Sequence, residues 1–374
     1  MENGKHIKSD SNFAKSVSTE DTVKEENPEA VKYLEHLLKD GAVEEDDGRD
    51  LELPPWYDEK LFKNGQRYMK KYHFVIFSGM LSGLVAVLAI PSILNVLICT
   101  RQSSTPATAY RRYARTIFHV LAWYDYPLQK GSKFWESLNM VRKAHLRSSR
   151  ACGKLKVGGI TQKDMALTQF GFIGFITLGA PRIRLYDQDF LEGTSHMWRV
   201  LGYLLGIKDE YNICGENWEV TKMRLDIAMR KVYRPALDNA SPDFFQMTKS
   251  LLNGLKPVNM MLTPGSFIFF TKRLAYCKGY EYYDEDFPNK VRIPNQKQYF
   301  NDLGWWDRFL VSYGLFLVTY LHQYSIVRWY LNLRVWVIQF LMYYFPIGAF
   351  FKYGIKWSYV RIFASSSEYD THDD

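Results

Sequence analysis

Residues 111–150 decide the fold of this chain, and they read RRYARTIFHVLAWYDYPLQKGSKFWESLNMVRKAHLRSSR. The pattern predicts two helices, over 107–128 and 132–150, each rich in arginine and lysine on one side. Arg112, Arg115 and Thr116 lie at i, i+3 and i+4 and therefore share one helix face. On the second helix Arg142 and His145 are at i, i+3 and also face the same way. Apart from these residues the face on the first helix is apolar, so the sequence predicts a basic face that needs anions.

No acidic residue stands between Leu61 and Tyr124 to supply those anions. Haem propionates would supply them, because planar guanidinium groups bind carboxylates bidentately. A neutral histidine on the facing helix would then be the axial ligand. Two plainer interpretations stay open at this point. The arginines can be a solvated face or contact lipid phosphates, and His145 can be a structural histidine.

Composition narrows the class of protein. The 374 residues are 47% hydrophobic and 16% aromatic, with a formal net charge of +8. A mean hydropathy of −0.27 excludes a transporter made mainly of membrane spans. No nucleic-acid motif accompanies the positive charge, so anionic lipid is the expected partner. The four cysteines form no CxxC pair, which excludes a thiolate zinc site and does not resemble a disulfide framework. The polar start predicts no cleavable signal peptide, and the chain is expected to be intracellular.

Helical periodicity dominates the chain, and strand-like alternation is scarce, so the fold class is predicted as all-α. We expect a disordered acidic tail over 1–50 with one short helix opened by Asn27-Pro28. A large single helical domain follows over 51–300. Residues 301–374 are predicted to be an aromatic, hydrophobic, membrane-associated region.

Three uncharged runs carry the membrane prediction. Tyr72–Thr100 is long enough to span a bilayer, yet Gly79, Gly83 and Pro91 make a kinked, buried core helix an equal alternative. Residues 309–327 and 335–351 carry tryptophans and tyrosines at their ends, which is typical of an interfacial or re-entrant helical hairpin. A buried aromatic helix pair that caps the domain is the alternative.

Three segments resemble the haem-dependent rubber-oxygenase family, which includes latex-clearing and ER-bound oxygenases. They are RYART at 112–116, RKAH at 142–145, and HMWRVLGYLLGI at 196–207. The first two match helices of the rubber-cleaving members in order and spacing, and the third is similar to a later helix of the family. The resemblance covers roughly 72–226 and favours a core helix over a membrane span at 72–100.

The resemblance implies a globin-like helical core in which His145 is the metal ligand of haem b. It also implies that Arg112 and Arg142 pair with the propionates, and that Arg115 and Thr116 act on the distal, oxygen-binding side. The function implied is a membrane-bound oxygenase, resident at the endoplasmic reticulum. Molecular oxygen and a long apolar substrate, isoprenoid or lipid, would be its reactants, with membrane lipid as a partner.

Two departures from the family pattern leave alternatives open. Arg115 stands where the family has lysine, and the region around 94–97 is neutral where the rubber-cleaving members carry an acidic base. A non-catalytic haem-binding or lipid-binding protein is therefore one alternative. A non-haem iron enzyme using His119, His145 and His196 is another, and a structural membrane protein without cofactor is the third.

Overall fold

The structure is a computed structural model that describes residues 26–46, 48–183, 185, 187–286, 292 and 296–363. Residues 1–25 of the predicted disordered tail lie outside the described residues. A tyrosine-rich loop predicted over 279–298 lies only partly within them. In the described part the chain is helical and contains no β-strand. A single isolated bridge pairs Glu45 with Thr161. The all-α prediction is confirmed.

The longer helices are numbered here in chain order. They are α1 (Pro28–Lys39), α2 (Glu59–Lys71), α3 (His73–Val87), α4 (Pro91–Cys99), α5 (Pro106–Asp125), α6 (Lys133–Lys154), α7 (Gln162–Leu178), α8 (Gln188–Leu204), α9 (Trp218–Ala228), α10 (Arg234–Asp238), α11 (Pro242–Leu255), α12 (Pro264–Leu274), α13 (Trp305–Phe316), α14 (Ser325–Tyr344), α15 (Ile347–Tyr353) and α16 (Ile355–Ser358). A π-turn, Met229–Tyr233, joins α9 to α10, and another, Leu317–Leu321, extends α13.

The N-terminal helix α1 is part of the domain. Asn27 caps it by accepting hydrogen bonds from the backbone of Glu29 and Ala30, and proline follows at the first helical position. Its buried face, Tyr33, Leu34 and Leu37, joins the main hydrophobic core. The short helix predicted at Asn27-Pro28 is therefore present, and packing against the core holds it.

The acidic residues after α1, which were predicted to belong to the disordered tail, form a strap bonded to the domain. This acidic strap is Glu44–Asp46. Glu44 pairs with Lys208, and Asp46 pairs with Arg142. Glu45 accepts a hydrogen bond from Ser149. The strap is thus bound to basic and polar residues from α6 and from the loop after α8.

The uncharged run at 72–100 folds as two core helices, α3 and α4, bent by 89° at a break between them. Pro91 opens α4, and proline is favoured at a first helical position. Gly83 of α3 lies so close to α7 that an added Cβ would meet the carbonyl oxygen of Gly171 at 1.8 Å. In the described residues no single helix is long and apolar enough to cross a membrane. Two bent helix pairs, this one and α14–α15 with its bend of 50°, pass the test for length and composition. Each passes only when its two helices are counted together.

The basic helices α5 and α6 each begin at a side-chain cap. Thr105 and Thr108 form a capping box at α5, and Ser132 accepts from the backbone of Trp135 at α6. The end of α4 also approaches α6, where the thiol sulfurs of Cys99 and Cys152 lie 2.8 Å apart. Residues far apart in sequence therefore line one region between α4, α5 and α6.

The C-terminal helices pack one side on the domain and expose the other. Gln339 of α14 hydrogen-bonds to His73, and Asn332 bonds to the backbone at the start of α3. The outer side is apolar and aromatic, with Trp305 79% exposed and Phe351 82% exposed. The C-terminal helices therefore cap the domain with one side buried, and only the full burial in that alternative is contradicted.

Candidate functional site

A cavity of about 220 Å³ lies among α3, α4, α5, α6, α7 and α8, and we call it the histidine cavity. Its polar side chains are Arg112, Thr116 and His119 from α5, His145 from α6, and Asp164, Thr168 and Gln169 from α7. The rest of the wall is mainly apolar and includes Leu88, Val96, Val141, Phe172 and Trp198. Arg112 and His145, predicted from sequence spacing to belong together, do meet in one cavity.

His145 makes no hydrogen bond with any described residue, and its Nδ1 atom is buried without a partner. Burial lowers the pKa of His145 to about 4, and the Arg112 cation lowers it further against a small opposing effect of Asp46. The imidazole is therefore neutral near pH 7 and keeps a nitrogen lone pair free for a metal. The residue is half-buried, but a buried ring nitrogen without a partner is unusual, because buried polar groups are generally hydrogen-bonded.

Arg112 lines the same cavity and lacks an anionic partner. Its Nη1 atom lies 3.4 Å from the hydroxyl of Thr100, and no carboxylate of the described residues lies within 4 Å. Burial lowers the pKa of Arg112, but an arginine side chain stays charged in any case. An enclosed charge of this kind is costly unless an anion pairs with it. The cavity therefore presents, next to His145, a cation that no carboxylate of the described residues pairs with.

Thr116 and His119 continue the same face of α5, at i+4 and i+7 from Arg112. The Thr116 hydroxyl donates to the backbone carbonyl of Arg112. His119 Nδ1 lies 2.8 Å from the hydroxyl of Ser137. Burial lowers the pKa of His119 to about 4, with further lowering by Arg115 and His145. Two neutral imidazoles thus lie near each other in the cavity.

Arg115 is not among the residues that line the cavity. Its Nε atom is buried without a hydrogen-bond partner. Arg112, Thr116 and His119 lie on the face of α5 that points into the cavity. Arg115, at i+3 from Arg112, lies at the side of that face. Arg115 therefore acts on the cavity through its charge, which lowers the pKa of His119.

Arg142 already has a protein partner. Its Nε and Nη2 atoms donate to the Asp46 carboxylate at 2.8 and 2.7 Å, and Nη1 donates to the backbone carbonyl of Arg49. Burial alone would raise the pKa of Asp46, but hydrogen bonds from Arg142 and the Gly48 backbone outweigh it and lower that pKa. A propionate at Arg142 would have to displace Asp46, and Arg142 does not line the cavity.

His196 lies outside the histidine cavity. Its Nε2 atom accepts a hydrogen bond from the backbone N–H of Asp58 at 3.0 Å, and its ring packs against Trp56 and Tyr57. Within the described ranges, no group of three His, Cys, Asp or Glu side chains is placed to hold a metal ion. The set of His119, His145 and His196 therefore does not form a metal site.

Asp164 was missed by sequence reasoning, which found no acid near this site. It lines the cavity from the first turn of α7, 4% exposed, and its Oδ1 atom accepts a hydrogen bond from Ser92 at 2.6 Å. Ser92 belongs to α4, the helix in which the neutral region 94–97 lies. A carboxylate of α7 is thus hydrogen-bonded to α4, which carries no acidic residue of its own. The pattern Thr161-Gln-Lys-Asp164 marks a capping box, but nothing local in sequence links it to α5.

A second, larger cavity of about 280 Å³ adjoins the first, and we call it the apolar cavity. Its walls come mainly from α3, α12, α13 and α14 and are almost entirely carbon. Leu84, Tyr113 and Thr116 line both cavities. A molecule in the apolar cavity would therefore lie next to the polar groups of the histidine cavity.

No protein-family profile matches this chain, and a search of curated proteins finds no significant match. Among solved structures the fold is similar to that of latex clearing protein in its closed state. The TM-score is 0.52 at 18% sequence identity, and the similarity covers 78% of this chain and 76% of that one. At this identity the similarity shows the fold alone. It agrees with the fold that the sequence resemblance predicted.

Proposed function

We propose that this protein is a membrane-associated, haem-dependent oxygenase that acts on a long apolar substrate. The observation that carries the proposal is the pairing, in one cavity, of an unbonded neutral His145 with an uncompensated Arg112. A fold similar to that of latex clearing protein supports it. The histidine cavity has residues that could hold the haem, and the apolar cavity has space for the substrate.

Haem b fits the residues of the histidine cavity. It requires an axial nitrogen, an apolar slot and a cation for its propionates. His145 offers the nitrogen, Arg112 offers the cation, and much of the remaining wall, including Val96, Phe172 and Trp198, is apolar. Because Arg142 is paired with Asp46, Arg112 is the propionate partner in this proposal. When bound, haem b would supply the dioxygen chemistry.

The chain itself supplies the groups that hold and move protons. Asp164 is the carboxylate of the cavity, and Ser92 fixes its orientation. Proton abstraction from a substrate needs such a group within hydrogen-bond reach. Neutral His119 can accept a proton as well, and Thr116 lies where the two cavities meet. Asp164 is the feature that favours a catalyst over a non-catalytic haem carrier.

The apolar cavity is proposed as the substrate site. Its carbon walls suit an isoprenoid or another long lipid chain, since burial of apolar surface is the main favourable contribution to such binding. Its contact with the histidine cavity through Leu84, Tyr113 and Thr116 would bring one substrate carbon close to the reacting groups.

Membrane association is proposed from the exposed side of the C-terminal helices. Trp329, Trp336 and Ile326 of α14 are 63%, 56% and 77% exposed. Aromatic side chains in such number are typical of the membrane–water interface, and monomeric soluble proteins rarely expose apolar patches of this kind. The net charge of +8 suits an anionic lipid surface. The endoplasmic reticulum membrane is the location that the resemblance suggests.

Oxygenation in an atmosphere of ¹⁸O₂ tests the proposal. Haem-loaded protein is incubated with squalene, with shorter isoprenoids and with polyisoprene, and products are analysed by mass spectrometry. We expect ¹⁸O in products of the smaller, membrane-dissolved substrates, and loss of labelling in the Asp164→Asn variant. Haem-loaded protein that consumes no oxygen with any apolar substrate would leave the non-catalytic carrier as the function.

A further inference from the structure

Three arginines line the apolar cavity, and one of them differs from the other two. Arg182 and Arg273 share the carboxylate of Asp286, at 3.7 and 2.7 Å. Arg182 also lies over the ring of Tyr276, 4.1 Å from its centre. These two cations therefore share one carboxylate, which neutralises part of their charge.

Arg334 has no such compensation. It lies on α14, half-buried, and its Nη2 atom contacts the sulfur of Met261 at 3.4 Å. No carboxylate of the described residues lies within 4 Å of it. A thioether sulfur is a weak acceptor, whereas a guanidinium carries five N–H donors in a fork that matches a carboxylate.

The sequence around Arg334 explains why the protein offers no partner. Between Asp307 and Glu368 there is no acidic residue, although six arginines and lysines fall in that interval. An anion at Arg334 must therefore come from outside this part of the chain. The cavity that Arg334 lines has walls of carbon, including Phe77, Leu81 and Ile338.

We propose that the apolar cavity binds a long-chain carboxylate, with its hydrocarbon chain among these walls and its carboxylate paired with Arg334. A neutral hydrocarbon would gain nothing from this guanidinium, but a carboxylate gains a bidentate, charge-assisted contact. The neighbours Leu333 and Trp336 are exposed on the outer side of α14. Arg334 therefore lies next to the exposed surface that is proposed to contact lipid.

This inference deepens the proposed function, because it names the ligand class of the proposed substrate site. Its test does not depend on haem. Purified, delipidated full-length protein is loaded with dansylated undecanoic acid, and the probe is displaced by oleate or by oleyl alcohol. We expect oleate to displace it with at least about tenfold higher affinity than the alcohol.

Arg334→Gln should reduce this preference to near unity by weakening oleate binding and leaving oleyl alcohol unchanged. Arg334→Lys should restore part of it, because the charge returns without the fork. Arg328→Gln is the matched control. Arg328 lies on the same helix, bonds to the carbonyls of His322 and Gln323, and does not line the cavity. It should behave as wild type, and thermal melting checks that each variant is folded.

Equal affinity for oleate and oleyl alcohol in the wild type would overturn the proposal, and so would a preference that persists in Arg334→Gln. If Arg334→Gln weakens binding to anionic phospholipid vesicles and leaves the oleate preference intact, Arg334 contacts lipid head groups instead. An oleate preference without any haem or oxygenation would contradict the proposed function and leave this ligand class standing. Haem binding and oxygenation without a preference for oleate would support the proposed function and contradict this ligand class.

Discussion

The ion pair between Asp46 and Arg142 is expected to stabilise the domain by tying the acidic strap to α6. The two side chains are 6% and 7% exposed, and the guanidinium also donates to the carbonyl of Arg49. Asp46→Ala would remove the carboxylate that accepts hydrogen bonds from Nε and Nη2 of this buried guanidinium. Removing one partner of a buried ion pair costs about 3–5 kcal/mol, much more than a surface pair is worth.

The free energy converts to a shift in melting temperature. At about 2.1 cal mol⁻¹ K⁻¹ per residue, a chain of this length has an unfolding entropy of about 0.8 kcal mol⁻¹ K⁻¹, so Asp46→Ala should melt about 4–6 °C lower. The control is Asp226→Ala. Asp226 pairs with Arg230 on α9 and the following turn, where both side chains are about one-third exposed. Its loss should cost below about 1 kcal/mol, or roughly 1 °C.

The same variants separate two roles of Arg142. If the arginine holds the strap, Arg142→Ala and Asp46→Ala should both melt early and both bind haem once folded. An Asp46→Ala variant that melts with the wild type would refute the energetic argument. An Arg142→Ala variant that melts normally but loses haem would restore the propionate role predicted from the sequence.

Three further outcomes are expected. Asp164→Asn should keep the fold and the haem content but oxidise substrate at least about a hundredfold more slowly, as steady-state oxygen uptake would show, because an amide cannot take a proton. The pKa values of His119 and His145 are lowered to about 4 in the folded protein, so the unfolded state binds protons at a higher pH than the folded state does. The free energy of unfolding should therefore fall as the pH drops from about 6.5 towards 4. A melting temperature that is flat across this window in the cofactor-free protein would contradict those shifts. Trp329→Ser combined with Trp336→Ser should weaken sedimentation with lipid vesicles, and undiminished sedimentation would move the membrane contact away from α14.

Helical spacing predicted those parts of the site that depend on one helix or on two adjacent ones. Arg112, Thr116 and His145 meet because turns of a helix repeat every 3.6 residues and α5 and α6 are neighbours. The cap at Asn27 and the break before Pro91 follow from local backbone chemistry in the same way. The prediction of two basic helices over 107–128 and 132–150 agrees with α5 and α6 to within a few residues.

The contacts that the sequence could not predict all depend on tertiary packing. Asp46 reaches Arg142 across 96 positions of sequence, and Ser92 reaches Asp164 across 72. No periodicity encodes such a meeting, so neither the ion pair of Arg142 nor the place of Asp164 could be predicted from the sequence. The predicted role of Arg115 on the oxygen-binding side rests on the broad helix face that it shares with Arg112, and it stays a prediction. The packing of α5 against its neighbours decides that Thr116 and His119 point into the histidine cavity.

Chemical rescue of the His145→Gly variant tests the central claim most directly. Wild-type protein purified with a haem supply should show a Soret band. The variant should lack that band and regain it when free imidazole fills the space left by the side chain and offers the missing nitrogen. His119→Gln, which removes the other imidazole of the cavity, should keep the wild-type spectrum. A full Soret band in His145→Gly without imidazole, or a wild-type protein that binds no haem, would contradict the account.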